Sequence, residues 1–453
     1  MMKWKSLKNR KQWFMLSVLV FPAVLAGLAL NTFALSRKMY NQHVDKEIHL
    51  RAELMDDVEL LIPFIIDSLC QITDSNHSLS AFLDELEMLL AGKDTVIQIV
   101  HLGDSHVQAG FYTGQMMRML HQAFGNAGRG WIAPLKLAKI NEPNDYFITS
   151  SKVKDWIAGR CIQSEPKCVW GIGGMGLQTA SKTVDFEVRI TPKNGAGYEF
   201  NQLLLYRDDK AIPLLPAKAD SITIQSVWGA TTGIPRIVVD TFRINGETNS
   251  LHLLSVQSLD FASGLDPTIL QTPNCYYGFS LLNGNAGILY HAIGQNGAMF
   301  KHYTSSDYFR QLALFSPSLL IITLGTNEAF SIRNLTDSMF VAQLDQFVQL
   351  VREYLPTTTI LLTTPAECFR RTSKGGYVRN ETIALVANVI TEYAQREGLA
   401  CFDLYGMTGG VNSCQKWQDA KFLGRDRIHY TVEGYYEQGK LLYKALIRQL
   451  IND

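Results

Sequence analysis

Four short motifs in this chain carry side chains that could divide the work of acyl transfer. Gly103-Asp104-Ser105-His106 offers a hydroxyl nucleophile, and Asp426-Arg427-Ile428-His429 offers an imidazole base with a carboxylate three residues before it. An Asp at that spacing, on a short turn, can fix the imidazole tautomer and stabilise its protonated form. Between them lie Gly294-Gln295-Asn296-Gly297-Ala298 and Gly325-Thr326-Asn327-Glu328. Glycine lets a bare N–H approach a substrate oxygen, and asparagine adds a side-chain amide; both suit a developing oxyanion. Gly294 and Gly297 are both open to that part.

Each residue also has a plainer use. Ser105 could cap the helix after it, Asp426 could cap the last helix, Asn327 could be a turn residue and His429 a packing histidine. His106 is a rival base, although neighbours on a tight turn rarely face one another. The order of the set along the chain argues for chemistry, because three of the four motifs follow strand-like runs.

The elements that must position these residues can be read from periodicity. Short β-rich apolar runs alternate with helix-period segments, the pattern of a parallel sheet with crossover helices. Strands are predicted at Thr95–Leu102, Ile288–Ile293, Ser318–Leu324, Thr358–Thr364 and Ala400–Leu404, and helices at 111–124, 305–315, 337–355, 381–397 and 432–451. Ser105, Gly297 and Asn327 then fall at carboxyl ends of strands, where open α/β sheets bind ligands. From about 150 to 284 the helical period disappears. Thr183–Thr191, Glu199–Tyr206, Ser221–Val227, Arg236–Ile244 and Leu251–Ser258 read as antiparallel strands, with turns at Lys193-Asn194-Gly195 and Asn245-Gly246. The expected organisation is a basic tail and anchor at 1–40, a helical lead-in at 41–92 with Ser80–Leu90 amphipathic, an α/β piece at 93–150, an inserted β-sandwich at 151–284 and a second α/β piece at 285–453.

The four motifs resemble blocks I, II, III and V of the SGNH (GDSL-like) hydrolase superfamily, named for Ser, Gly, Asn and His. The resemblance implies a three-layer α/β/α fold, a triad of Ser105, His429 and Asp426, and an oxyanion hole formed by Ser105, Gly297 and Asn327. It implies ester hydrolysis through an acyl-enzyme, with no metal or organic cofactor. The Gly-Asp-Ser-His variant with a β insert between blocks I and II is similar to bacterial peptidoglycan O-acetylesterases, whose insert resembles a carbohydrate-binding module. An acetylated glycan is the partner so implied. The same residues would serve an O-acetyltransferase acting on a glycan, and a non-catalytic glycan-binding scaffold is the alternative from another class.

Composition narrows the field further. Lys plus Arg and Asp plus Glu number 42 each in 453 residues, so no global basic field points to nucleic acid. Five basic residues between Lys3 and Lys11 precede the uncharged stretch Gln12–Ser36, long enough for one helical pass of a bilayer. That pattern predicts a single-pass membrane anchor with the catalytic part outside the cytoplasm, in periplasm or cell envelope. Cys161 and Cys168 are near enough in sequence to be bridged, with buried thiols as the alternative. Trp156, Trp170 and Trp228 are candidates for stacking on sugar or for core packing. Gly171-Ile172-Gly173-Gly174-Met175-Gly176 fits a dinucleotide-binding fingerprint but lacks the strand and helix that fingerprint needs, and reads as a flexible edge of the insert.

Overall fold

Aliphatic and β-branched runs, each followed by a helix-period segment, build a parallel sheet. The computed structural model describes residues 58–191, 197–217, 222–228, 236–255 and 274–452, and the described residues from Leu60 onward cluster as one unit. The parallel strands are β1 (Val96–Gly103), β2 (Gly287–Gly294), β3 (Leu319–Thr323), β4 (Thr359–Thr363) and β5 (Ala400–Phe402). Their order across the sheet is β2-β1-β3-β4-β5, with Ile72–Thr73 antiparallel at the β5 edge. The main helices are α1 (Ser80–Leu90), α2 (Phe111–Phe124), α3 (Asp337–Tyr354), α4 (Thr382–Glu397) and α5 (Val432–Asn452). Helix α2 packs on α5, and α3 on α4. Every residue of β3 and β4 is buried, so the sheet is covered on both faces, as parallel sheets require. The strand order reverses beside β1. The carboxyl ends of β1 and β3 therefore flank the crevice where such sheets bind ligands.

Between α2 and β2 the chain leaves this sheet and forms antiparallel ones. Among the described residues, one has the order Ile222–Trp228, Ile237–Thr248, Phe200–Asp208, Asn274–Leu282, Met175–Thr179, Ile157–Arg160, with Gly130–Ile132 also pairing to Asn274–Leu282. The other runs Tyr146–Thr149, Asp185–Ile190, Ser250–Ser255, Leu214–Pro216. Phe186 of the smaller sheet meets Tyr276 and Phe279 of the larger at ring-centroid distances of 5.3 and 5.4 Å. The two sheets thus pack face to face as a sandwich. Trp156 is buried in that core, 5.0 Å from Phe186, and is not a sugar platform.

Several expectations change. Gly130–Ile132 and Tyr146–Thr149 lie within the stretch read as α/β, yet they pair into the antiparallel sheets. Gly130–Ile132 is buried throughout and shows no alternation, while Tyr146–Thr149 alternates over only four residues. The lead-in is helical only in α1; from Leu60 to Leu79 the described chain has one short 3₁₀ turn and the Ile72–Thr73 strand. Its backbone is satisfied by distant partners instead: Leu61 N–H donates to Glu437 and Ile66 N–H to the Met407 carbonyl. The Gly171–Gly176 run is not a flexible edge but is packed, a Cβ at Gly171 or Gly173 falling 2.4 Å from Tyr277 or 2.7 Å from Trp131. Cys161 and Cys168 are both free, buried thiols, so they are not bridged. The stretches 1–57 and 192–196, which hold the expected anchor and the Lys193-Asn194-Gly195 turn, lie outside the described residues, as does the side chain of Trp228. Among the described residues no helix is long and apolar enough to cross a membrane.

Candidate active site

Beyond β1 the chain turns at once into the four-residue helix Ser105–Gln108. Its cap is Asp104, whose Oδ1 accepts the His106 amide at 2.9 Å, so the Ser105 hydroxyl is not spent on capping. It shares a 2.9 Å hydrogen bond with Nε2 of His429. His429 Nδ1 donates to Asp426 Oδ2 at 2.7 Å. The other carboxylate oxygen, Oδ1, accepts the amides of Ile428 and His429, each at 3.0 Å. Both carboxylate oxygens are thus engaged within one turn. The cap of α5 is Thr431, whose hydroxyl accepts the Gly434 amide. The structure brings Ser105, His429 and Asp426 into one hydrogen-bonded line across 324 positions of sequence.

The charges in this line support one another. The Asp426 hydrogen bond raises the pKa of His429 above the ordinary imidazole value, against a smaller opposing effect of burial. For Asp426, burial pushes the pKa up. The bonds from the His429 ring and from the Ile428 and His429 amides outweigh it and hold the carboxyl well below its usual range. The His429 and Asp426 side chains remain 43 % and 50 % exposed, so solvent reaches the imidazole. His106 is not a competing base. Its Nδ1 is bonded to the Tyr435 hydroxyl at 2.9 Å, and burial lowers its pKa to about 3.

The two glycines of the second motif differ in use. A Cβ at Gly294 would lie 2.2 Å from the Gln108 amide, so this glycine lets the Ser105–Gln108 helix pack against β2. Gly297 has φ +83° and open space around it, with only Ile162 Cδ1 within 4 Å of an added Cβ, at 3.8 Å. Asn327, in the helix Thr326–Ser331 after β3, donates from Nδ2 to Asp104 Oδ2 and to the Ala298 carbonyl, both at 3.0 Å. Both hydrogens of that amide are therefore in use. Next to it, Glu328 accepts the Phe300 amide on Oε1 at 2.7 Å. Burial raises the carboxyl pKa of both Asp104 and Glu328 to about 7.

Sequence spacing did not reveal the groups that brace these loops. The hairpin Phe369–Arg371/Tyr377–Arg379 supports the Asp426–His429 turn: Phe369 N–H donates to the Arg427 carbonyl at 3.0 Å and Tyr377 Oη to the Arg425 carbonyl at 2.9 Å. Arg427, held at φ +60°, places its guanidinium over the rings of Phe369 and Tyr377, 5.4 and 4.6 Å from their centroids. On the opposite side, Gln108 and Arg160 bond the loop that carries Gly297. No motif marks these residues.

The sequence profile of the GDSL-like lipase/acylhydrolase family matches residues 264–436. Over that stretch the chain is similar to GDSL-like hydrolases. The match includes Gly297, Asn327, Asp426 and His429, whereas Ser105 lies before the antiparallel sheets and outside it. A solved peptidoglycan O-acetylesterase superposes with a TM-score of 0.65 at 18 % identity, covering 84 % of this chain and 99 % of its own, which establishes a shared fold. A GDSL-like lipase from Bacteroides thetaiotaomicron and a carbohydrate esterase from Talaromyces cellulolyticus each cover 36 % of this chain, at 18 % and 15 % identity, with TM-scores of 0.28 for both. No curated protein matches the sequence. The GDSL-like match supports a serine ester hydrolase.

Proposed function

We propose that this GDSL-like hydrolase removes O-acetyl groups from a glycan through an acyl-enzyme on Ser105. The observation that carries the proposal is the unbroken line from Asp426 through His429 to Ser105, with contacts of 2.7 and 2.9 Å. In the first step His429 Nε2 takes the proton of Ser105 as Oγ attacks the ester carbonyl. The new imidazolium faces the Asp426 carboxylate, which also keeps Nδ1 protonated. The tetrahedral oxyanion is received by the Ser105 and Gly297 amides. Asn327 joins them only by sharing a hydrogen now given to Asp104 or Ala298. His429 then returns the proton to the departing sugar oxygen, and water, activated by the same imidazole, releases acetate.

A glycan substrate is supported by the fold shared with a peptidoglycan O-acetylesterase over nearly all of that protein. In this reading the antiparallel sandwich is an inserted domain beside the acyl-transfer site, and the basic-then-apolar N-terminus holds the hydrolase at a membrane, facing away from the cytoplasm. The test is release of acetate from an aryl acetate and from O-acetylated peptidoglycan, comparing wild type with Ser105→Ala. Activity lost by at least about a hundredfold in the variant supports the mechanism. A folded wild type no faster than Ser105→Ala on either substrate would rule it out.

A further inference from the structure

Gln295 lies where three parts of the molecule meet. Its amide donates to the Gly103 carbonyl at 3.2 Å, just ahead of Asp104-Ser105, and its carbonyl accepts the Ala298 amide at 2.9 Å, closing the turn that carries Gly297. Its side chain is bonded to the antiparallel unit. Oε1 accepts from Arg160 Nε at 3.0 Å, and Nε2 donates to the Gly173 carbonyl at 3.0 Å. Arg160 also donates from Nη2 to the Asn296 carbonyl at 2.9 Å. The glycine run explains how the sandwich comes so close. Gly174 has φ +69°, and a Cβ there would lie 2.9 Å from Gln295 Cγ. A side chain at that position would push the two units apart.

Arg160 is half-buried, and its guanidinium makes no ion pair with a carboxylate among the described residues. Its hydrogen bonds go to acceptors on residues 295 and 296, and bonds from a charged donor are about twice as strong as neutral ones. The same loop is tied to the α/β side by Gln108 to Asn296, by Asn327 to Ala298 and by Glu328 to Phe300. Arg160 is therefore not needed to close the loop. What it adds is a second, opposed restraint immediately before Gly297.

We propose that Arg160 and Gln295 form a clamp through which the β-sandwich fixes the Gly297 amide in its oxyanion-binding position. Arg160 is thus a positioning residue for the ester hydrolysis proposed above, and the inference rests on that reading. A loosened clamp displaces a donor that matters when the oxyanion forms, so the loss falls on kcat rather than on KM. The role also gives the sandwich a part in catalysis separate from any contact with glycan.

The full chain is compared with Arg160→Ala, Arg160→Lys, Gln295→Ala and the Arg160→Ala/Gln295→Ala double variant on an aryl acetate. Arg160→Ala is expected to lower kcat about 10- to 100-fold with KM within about threefold, and Arg160→Lys to recover part of the loss. The double variant is expected to be slower than either single but to lose less than the product of the two losses, because the Arg160–Gln295 bond is shared while the Arg160–Asn296 and Gln295–Gly173 bonds each survive in one single. Amide hydrogen exchange at residues 295–298 is expected to speed up in Arg160→Ala while β1 and β3 stay protected. This readout does not depend on turnover. A wild type without esterase activity would defeat the hydrolase reading, while exchange would still judge the clamp. Unchanged kcat in a folded Arg160→Ala, multiplicative losses in the double variant, or unchanged exchange would each overturn the proposal. If Arg160→Ala does not fold, Arg160→Lys decides: wild-type kcat overturns the clamp, and reduced kcat at unchanged Tm supports it.

Discussion

Replacing Asp426 by asparagine should damage this enzyme more than replacing it by alanine, and the reason lies in how the carboxylate is used. Oδ2 accepts from the His429 ring while Oδ1 accepts two backbone amides. Asparagine keeps one oxygen and substitutes an NH₂ for the other. If the oxygen stays on the two amides, the NH₂ faces Nδ1, which must then become an acceptor. The proton moves to Nε2, and His429 can no longer take the Ser105 proton. The flipped amide sets NH₂ against two N–H donors and sacrifices two hydrogen bonds for one, so the first arrangement wins. A wrong tautomer in such a triad costs about 10⁴-fold in kcat in the well-studied serine protease case. Alanine removes only orientation and charge. At about 4 Å between charge centres that attraction is about 1 kcal/mol in water and about 4 kcal/mol at an effective dielectric near 20. With side chains 43 % and 50 % exposed, an intermediate value of about 2 kcal/mol applies, or about thirtyfold. The assay is steady-state release of p-nitrophenol from p-nitrophenyl acetate, with folding checked by circular dichroism. Asp426→Asn equal to or faster than Asp426→Ala would refute the argument.

The raised His429 pKa predicts that kcat/KM climbs with pH through a midpoint above the ordinary imidazole value, because the base must be neutral to act; in Asp426→Ala the midpoint should fall towards about 6.5. Gly294→Ala should fail to fold or lose most stability, since its methyl would meet the Gln108 amide at 2.2 Å, whereas Gly297→Ala should fold and lose about 1–2 kcal/mol to its φ of +83°; thermal melts of the two variants separate these outcomes. Glu328 is a carboxyl whose pKa rises on folding, from 4.5 to about 7. Its contribution to stability is complete below pH 4.5 and is lost as pH rises towards 7. Glu328→Gln should therefore show a shallower fall in Tm between pH 4.5 and 7 than wild type, and an equal slope would mean that Glu328 does not titrate on unfolding.

Much of the scaffold was legible because its signals are local. Strands β1 to β4 and helices α2 to α5 begin and end within about two residues of where periodicity places them. The failures share a physical cause. The stretch before α1, expected to be helical, instead has amides that find partners on Glu437 and Met407, contacts that no local pattern announces. Gly130–Ile132 is a strand because Asn274–Leu282 pairs with it, not because of its own composition. The glycine run at 171–176 looked like a loop and proved to be a contact surface, since the absence of side chains is as useful for close packing as for mobility.

The sequence alone determined the parallel α/β scaffold, the GDSL-like character and which hydroxyl, imidazole and carboxylate are chemically suited to acyl transfer, because strand–turn–helix patterns and residue types are written locally. Tertiary structure decided how those groups are employed. It set Ser105 against His429 across 324 positions and made Asp104, not Ser105, the helix cap. It also committed both hydrogens of Asn327 and brought Arg160 from the sandwich onto the loop before Gly297. Each of these depends on distances between segments remote in the chain, which are set when the sheet and the sandwich close on one another and not by any neighbour in sequence.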